Sequence, residues 1–197
     1  MQILHPLTGS VQQYLTQLAD PDRFRPSHCP MCQTNRPLTA HGFYSRTIVD
    51  SDFDGTIRVR RYFCHSCRRT VSLLPEFALP YLRFSITVFA LFLVSRLIHT
   101  KTLIAALPVS APYQRGQFWL RRFCSHAEAL CVALVALTTP GAAVSFVERA
   151  MAMLQAIGWI PAHRFLFAQL REHLLGWPPS LAPDGRRLTL RPTAAPA

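Results

Sequence analysis

Cys29-Pro30-Met31-Cys32 and Cys64-His65-Ser66-Cys67, two CxxC pairs with 31 residues between them, decide how this chain begins to fold. Two thiolates three positions apart on a tight turn can point at one ion. Four of them close a tetrahedral shell, leaving no position for water or substrate. Such a shell stabilises rather than catalyses, and metal binding then supplies much of the local folding energy. One CxxC alone would equally suit a redox pair; two pairs around a hairpin favour zinc over redox chemistry or unconnected thiols. His28 and His65 adjoin ligands and are chemically able to replace one, but four sulfurs leave them no ligand position. We expect one structural Zn2+ per chain, on Cys29, Cys32, Cys64 and Cys67.

Between the pairs, Phe43–Ile48 and Ile57–Phe63 read as strands joined by a turn near Asp52–Gly55. The second alternates Ile57, Val59 and Arg61 against Arg58, Arg60 and Tyr62, a period of two rich in β-branched and aromatic residues. Upstream, Val11–Leu18 reads as a short helix capped by Ser10. Downstream, Val71–Leu82 holds Pro75 and Pro80 and reads as an extended connector.

From Arg83 the period becomes helical, with Phe84, Val88, Leu91 and Ser95 on one stripe. Thr100 or Thr102 begins a short helix over Leu103–Leu107. Ser110 caps a third helix, from Ala111 to Cys124 or beyond, with Pro112 in its first turn where a missing N–H costs little. Glu128–Leu137, Val144–Ile157 and Arg164–Leu175 read as further helices, broken at Pro140–Gly141 and Gly158–Pro161. The expected fold is mainly α with a small β zinc ribbon. It comprises an N-terminal helical extension (1–24), the ribbon and connector (25–82), a helix-turn-helix (83–126), a C-terminal helical segment (127–176) and a disordered tail (177–197).

The chain carries 21 basic residues against 10 acids, a net charge of +11, and Lys101 is its only lysine. Residues 83–123 hold five arginines, that lysine and no acid. An acid-free basic stretch faces polyanions. On a wheel of about 100° per residue, Tyr113, Gly116, Trp119, Leu120 and Phe123 share one side of the third helix. Gln114, Phe118, Arg121 and Arg122 share the other, with Arg115 at its edge. Glutamine pairs with adenine, arginine with guanine, and an apolar ring meets a thymine methyl. Gln114, Arg115, Gln117, Phe118, Arg121 and Arg122 are therefore the candidate groove-reading set, and Arg46, Arg58, Arg60, Arg61, Arg68 and Arg69 of the ribbon the candidate phosphate contacts. Gly116 on the packed side would let the preceding helix approach. Cys124 and Cys131 share a helix face and read as core.

No basic-then-apolar leader is evident at the start. Phe84–Leu93 lies between Arg83 and Arg96, which bracket only twelve residues, too few to span a bilayer. Thr138, Thr139, Pro140 and Gly141 interrupt the other apolar stretch. A cytoplasmic location without membrane contact is expected.

The ordered pieces Cys29-Pro-Met-Cys32, Gly42-Phe43-Tyr44-Ser45-Arg46, Arg60-Arg61-Tyr62-Phe63-Cys64-His65-Ser66-Cys67-Arg68-Arg69-Thr70, Leu73-Leu74-Pro75 and Leu79-Pro80-Tyr81-Leu82-Arg83-Phe84-Ser85 resemble the zinc-ribbon and helix-turn-helix front end of insertion-sequence transposases. They also resemble a related bacterial family of unknown function. The resemblance covers about residues 25–125. It implies a duplex-DNA-binding module, with the four cysteines as zinc ligands and Ala111–Phe123 as the recognition helix. A transposase catalytic core needs well-placed carboxylates on an α/β scaffold. After Phe123 this chain offers only Glu128, Glu148, Glu172 and Asp184, so no enzyme activity is expected. Competing readings are a nonspecific or RNA-binding zinc protein, and an interaction module that pairs with a second copy or a transposase-related partner.

Overall fold

The spine of the molecule is the long strand that delivers the second cysteine pair. In the computed structural model, which describes residues 1–5, 9–18, 20, 22–108 and 111–176, β2 (Thr39–Asp50) and β3 (Phe53–Cys64), twelve residues each, form a hairpin. Asp50 pairs with Phe53, so the turn is Ser51-Asp52, and Gly55 sits inside the strand opposite Ile48 rather than in the turn. One extra residue between Ala40 and Phe43 makes a bulge, and Gly42 takes the positive φ of 80° that the bulge requires.

Two further strands correct the expectation of a mainly α chain with a small ribbon. β4 (Arg69–Leu74) runs antiparallel to β3, and β1 (Gln2–Leu4) runs parallel to β4, giving a mixed four-stranded sheet in the order β1-β4-β3-β2. Among the described residues helix occupies 41% and strand 21%, so the fold is an α/β mixture. Residues 69–74 are a paired strand and not a connector, because Val71 and Leu73 face the core beneath the second cysteine pair.

Each sheet face buries its own core. Ile48, Ile57, Val59 and Leu74 pack under α1 (Val11–Gln17) and Phe77. Ser10 caps α1 in a reciprocal pair with Gln13, and Tyr14 donates its hydroxyl to the Arg58 carbonyl at 2.9 Å. On the other face, Leu38, Tyr62, Val71 and Leu73 pack behind Cys29 and Cys64.

The helical half begins at α2 (Ile86–Leu93), whose cap Ser85 accepts from Val88 N and donates to Asp50 Oδ1. Its buried stripe is Ile86, Phe89, Phe92 and Leu93, with Val88 also covered. Leu91 lies outside the core at 57% exposure, so the sequence stripe was rotated from the packed one. The helix widens into π turns over Val94–Ile98. α3 (Leu103–Ala106) is capped by Thr102, and α4 (Tyr113–Leu134) runs 22 residues without a break. Ser110, the expected cap of this helix, lies outside the described residues, as does the segment 177–197 read as a tail. Trp119 of α4 is the hub, meeting Phe84, Phe89 and Phe92 edge-on at centroid distances of 4.9, 5.9 and 5.4 Å.

α5 (Phe146–Ile157) opens on a Ser145–Glu148 capping box, and α6 (Trp159–Phe165) follows Gly158, whose φ is 91°. Pro161 lies within the first turn of α6 instead of ending a helix, since a missing N–H there forfeits no bond. The last segment returns to the sheet. Arg164 Nη2 reaches Glu76 Oε2 at 2.6 Å and Arg171 donates to the Gln2 carbonyl. His173 Nε2 donates to the Pro80 carbonyl while its Nδ1 accepts from Leu175 N, which fixes a neutral tautomer. Among the described residues, no helix is long and apolar enough to cross a membrane.

Candidate metal centre and basic helix face

The first knuckle is a loop closed by Gln33 N donating to Cys29 O and Cys29 N donating to Thr34 O. The second joins the end of β3 to the start of β4. In each, the residue after the second cysteine takes a left-handed conformation: Gln33 at φ 57° and Arg68 at φ 55°. That turn swings the following amides toward sulfur. The Cys67 amide bonds Cys64, the Arg69 amide bonds Cys67 and the Thr34 amide bonds Cys32.

The four Sγ atoms lie within 4.8 Å of one another, and two contacts cross between the knuckles: Cys29 to Cys67 and Cys32 to Cys64, both 3.7 Å. A disulfide would need about 2.05 Å. A tetrahedron with metal–sulfur bonds of about 2.3 Å has edges of about 3.8 Å, so the cysteines fit a single metal ion. The Cys67 amide, foremost, draws the Cys64 thiol down to about 6, whereas burial pushes Cys67 up to about 12. Crowded thiols share one negative charge readily and resist a second without a cation. Cys29 and Cys64 are buried, Cys67 is half-buried and Cys32 is exposed, so an ion would sit near the surface with its inner side on the Leu38–Tyr62–Val71 core.

Residues 29–104 match a domain of unknown function (DUF6431). The matched stretch runs from the first cysteine of the cluster into α3, and α4 lies beyond it. No curated protein and no solved structure matches the chain.

The candidate DNA-reading residues divide on inspection. Gln114, Arg115, Gln117, Phe118 and Arg121 are exposed on the first half of α4, opposite the buried Gly116, Trp119 and Phe123. Gly116 faces Leu107 at the end of α3, where an added Cβ would come within 2.7 Å of Cδ2. Tyr113, placed with the packed side by the wheel, is instead 46% exposed because the helix begins there. Arg122 is half-buried, lies against the Phe118 ring and donates to the Gly176 carbonyl, so it ties the C-terminal segment to α4 rather than facing outward.

The ribbon arginines divide similarly. Arg60 is buried at 9% exposure; its Nε and Nη2 donate to Asp22 Oδ1 at 2.9 and 2.6 Å. It serves as an internal strut. Asp22 carried no signal in the sequence, yet it also accepts from Tyr62 and Arg25. Burial works to raise its carboxyl, but these bonds, Arg60 first, outweigh burial and hold it below the usual carboxylate range. Arg58 is exposed and stacks on Phe43 with 4.2 Å from guanidinium carbon to ring centroid. Arg68 and Arg69 are exposed and Arg61 half-exposed; burial first, then Arg69 and Arg61, lowers the Met1 amino group.

Proposed function

We propose that this chain is a zinc-stabilised, non-catalytic DNA-binding protein related to transposase front ends, reading duplex DNA with the first half of α4. The observation that carries the reading is the division of that half-helix. Trp119, Phe123 and Gly116 fix one side against α2 and α3, while Gln114, Arg115, Gln117, Phe118 and Arg121 stand out from the other with no acid among them. A helix so anchored presents its side chains at a fixed angle. Amide and guanidinium groups at helical spacing match the donor and acceptor edges of successive base pairs. The metal is proposed to be zinc, because four thiolates in a tetrahedral arrangement suit zinc or iron, and a closed, redox-inert site serves a structural role.

Arg58, Arg61, Arg68 and Arg69 remain as phosphate contacts; Arg46 and Arg60, spent on internal hydrogen bonds, leave that set, and Arg122 leaves the groove-reading one. Gel shifts across a salt series test the binding: affinity should fall linearly on a log–log plot, and salt-independent affinity overturns the reading. Selection on random duplex DNA should enrich a motif that Gln114→Ala or Arg121→Ala relaxes. Binding without an enriched motif would favour nonspecific nucleic-acid contact. Metal analysis of protein purified under reducing conditions with zinc supplied should return one zinc per chain.

A further inference from the structure

Four of the six cations in the acid-free stretch 83–123 have a place already. Arg83 pairs with Asp54 at 2.7 Å, Arg122 is tied to the Gly176 carbonyl, and Arg115 and Arg121 stand on the reading half of α4. Arg96, in the π turns of Val94–Ile98, and Lys101, in the loop before α3, belong neither to that row nor to the ribbon.

Their position is fixed by α4 and by each other. Burial pushes the Cys124 thiol up and the Arg96 charge pulls against it, so the guanidinium lies beside this residue of α4. Cys124 is exposed, seven residues after Gln117 and three after Arg121, and shares a helix face with both. Arg96 therefore borders the row of side chains proposed to read bases. Its Nη1 donates to the Lys101 carbonyl at 3.3 Å, and Lys101 N donates to the Ser95 carbonyl at 3.0 Å. These bonds hold the two cations on one turn. Thr100, between them, takes φ 51°, which is an outlier for a β-branched residue and a place where helices end on glycine. Strain kept at an exposed turn accompanies a binding role.

Neither cation has a counter-charge. None of the ion pairs among the described residues includes Arg96 or Lys101. Arg96 is half-buried and gives one bond to the protein, and Lys101 is exposed. Glu128, the one acid on α4, lies a turn beyond Cys124 and pairs with neither. Two cations held on one turn repel each other, and an anion between them relieves that repulsion.

From Gln114 to Cys124 the helix rises about 15 Å. The major groove is about 12 Å wide and about 8.5 Å deep. A helix entering by its N-terminal residues has reached the sugar–phosphate wall at the level of Cys124, where Arg96 stands. We propose that Arg96 and Lys101 form a phosphodiester clamp on the wall of the groove that α4 reads, setting how far the helix enters. The clamp rests on the DNA-binding reading of α4. Its own contact is to phosphate and carries no base preference.

The test uses the full zinc-loaded chain and a duplex of mixed sequence, with affinity measured from about 50 to about 200 mM salt. Each lost phosphate contact flattens the log–log slope by about 0.9, so wild type should lose about 3.5-fold more affinity over that range than Arg96→Gln or Lys101→Gln. Arg96→Lys should keep the wild-type slope. Selection on random duplexes should return the wild-type motif from all three variants, whereas Gln114→Ala relaxes the motif and leaves the slope unchanged. An unchanged slope in either glutamine variant, or a motif relaxed by either, overturns the proposal. If Arg96→Gln does not fold, Lys101→Gln, at an exposed position, decides alone. Flattened slopes with a motif indifferent to Gln114→Ala and Arg121→Ala would keep the clamp and remove α4 as the reader. A wild-type chain that binds no duplex overturns both.

Discussion

Replacing Gly116 by alanine sets two opposed effects against each other at one atom. Alanine is favoured over glycine inside a helix by about 1 kcal/mol, and Gly116 lies in the first turn and a half of α4. The new Cβ, however, would meet Leu107 Cδ2 at 2.7 Å, Cγ at 3.1 Å and Cδ1 at 3.2 Å. All three contacts belong to one isobutyl group, so moving a single methyl does not relieve them; the whole side chain must turn away from α4. Overpacking of this kind costs about 1–3 kcal/mol. The net expectation is a loss of about 1 kcal/mol, or roughly 3 °C in Tm for a chain of this size. In a Leu107→Ala background the obstruction is gone, and Gly116→Ala should then stabilise by about 1 kcal/mol. Urea denaturation of the four proteins in the cycle measures this reversal of sign. If Gly116→Ala stabilises the wild-type chain by the full helix-propensity amount, α3 does not pack on α4 here and the geometry proposed for the reading helix is wrong.

Other outcomes follow from the same structure. Zinc sites contribute about 10–16 kcal/mol of binding energy in small metal-bound modules, comparable to the whole stability of a domain. A strong chelator should therefore abolish the strand signal in circular dichroism, and retained strand content would show that the sheet holds without metal. Asp22→Ala strands the buried Arg60 guanidinium and removes an acceptor from Tyr62. With Asp22 itself 36% exposed, a loss of about 1–2 kcal/mol is expected in urea; a change under about 0.3 kcal/mol would deny Arg60 its role as a strut. Burial, foremost, depresses His126 and His173 to about 4 and His163 to about 3. Unfolded histidines take up protons near pH 6.5 whereas these do not, so their stability is complete above about 6.5 and drains as pH falls toward 4. Each adds a slope of up to about 1.4 kcal/mol per pH unit. His163, wholly buried with neither ring nitrogen hydrogen-bonded, is the best single test: His163→Leu should flatten the acid limb by close to one proton, and an unchanged limb would refute its neutral burial.

The cysteine cluster was legible because CxxC spacing is a local, chemically narrow signal. Two CxxC pairs name their own partners, and the structure brings all four sulfurs together. The β2–β3 hairpin was legible for the same reason, its alternation being written into consecutive residues. Ser10, Thr102 and the Trp119–Phe123 face of α4 were equally local. The strands that turned the fold into an α/β mixture were not. Gln2–Leu4 is too short to show a period, and it is a strand only because residues 72–74 lie beside it. Arg69–Leu74 was obscured by the prolines that follow it at 75 and 80. The fate of individual arginines was illegible altogether. Arg60 and Arg58 belong to the same alternation, and only the arrival of Asp22 from 38 residues away buries the first and leaves the second on Phe43.

The parallel pairing of β1 with β4 sets an order of assembly during synthesis. Gln2 leaves the ribosome early, but its partner Ser72 is made 70 residues later, after both knuckles and the whole β2–β3 hairpin. The first segment must wait, its apolar side chains uncovered, until the second knuckle and β4 have emerged. The meeting of the two knuckles thereby governs when residues 2–4 find a place to dock.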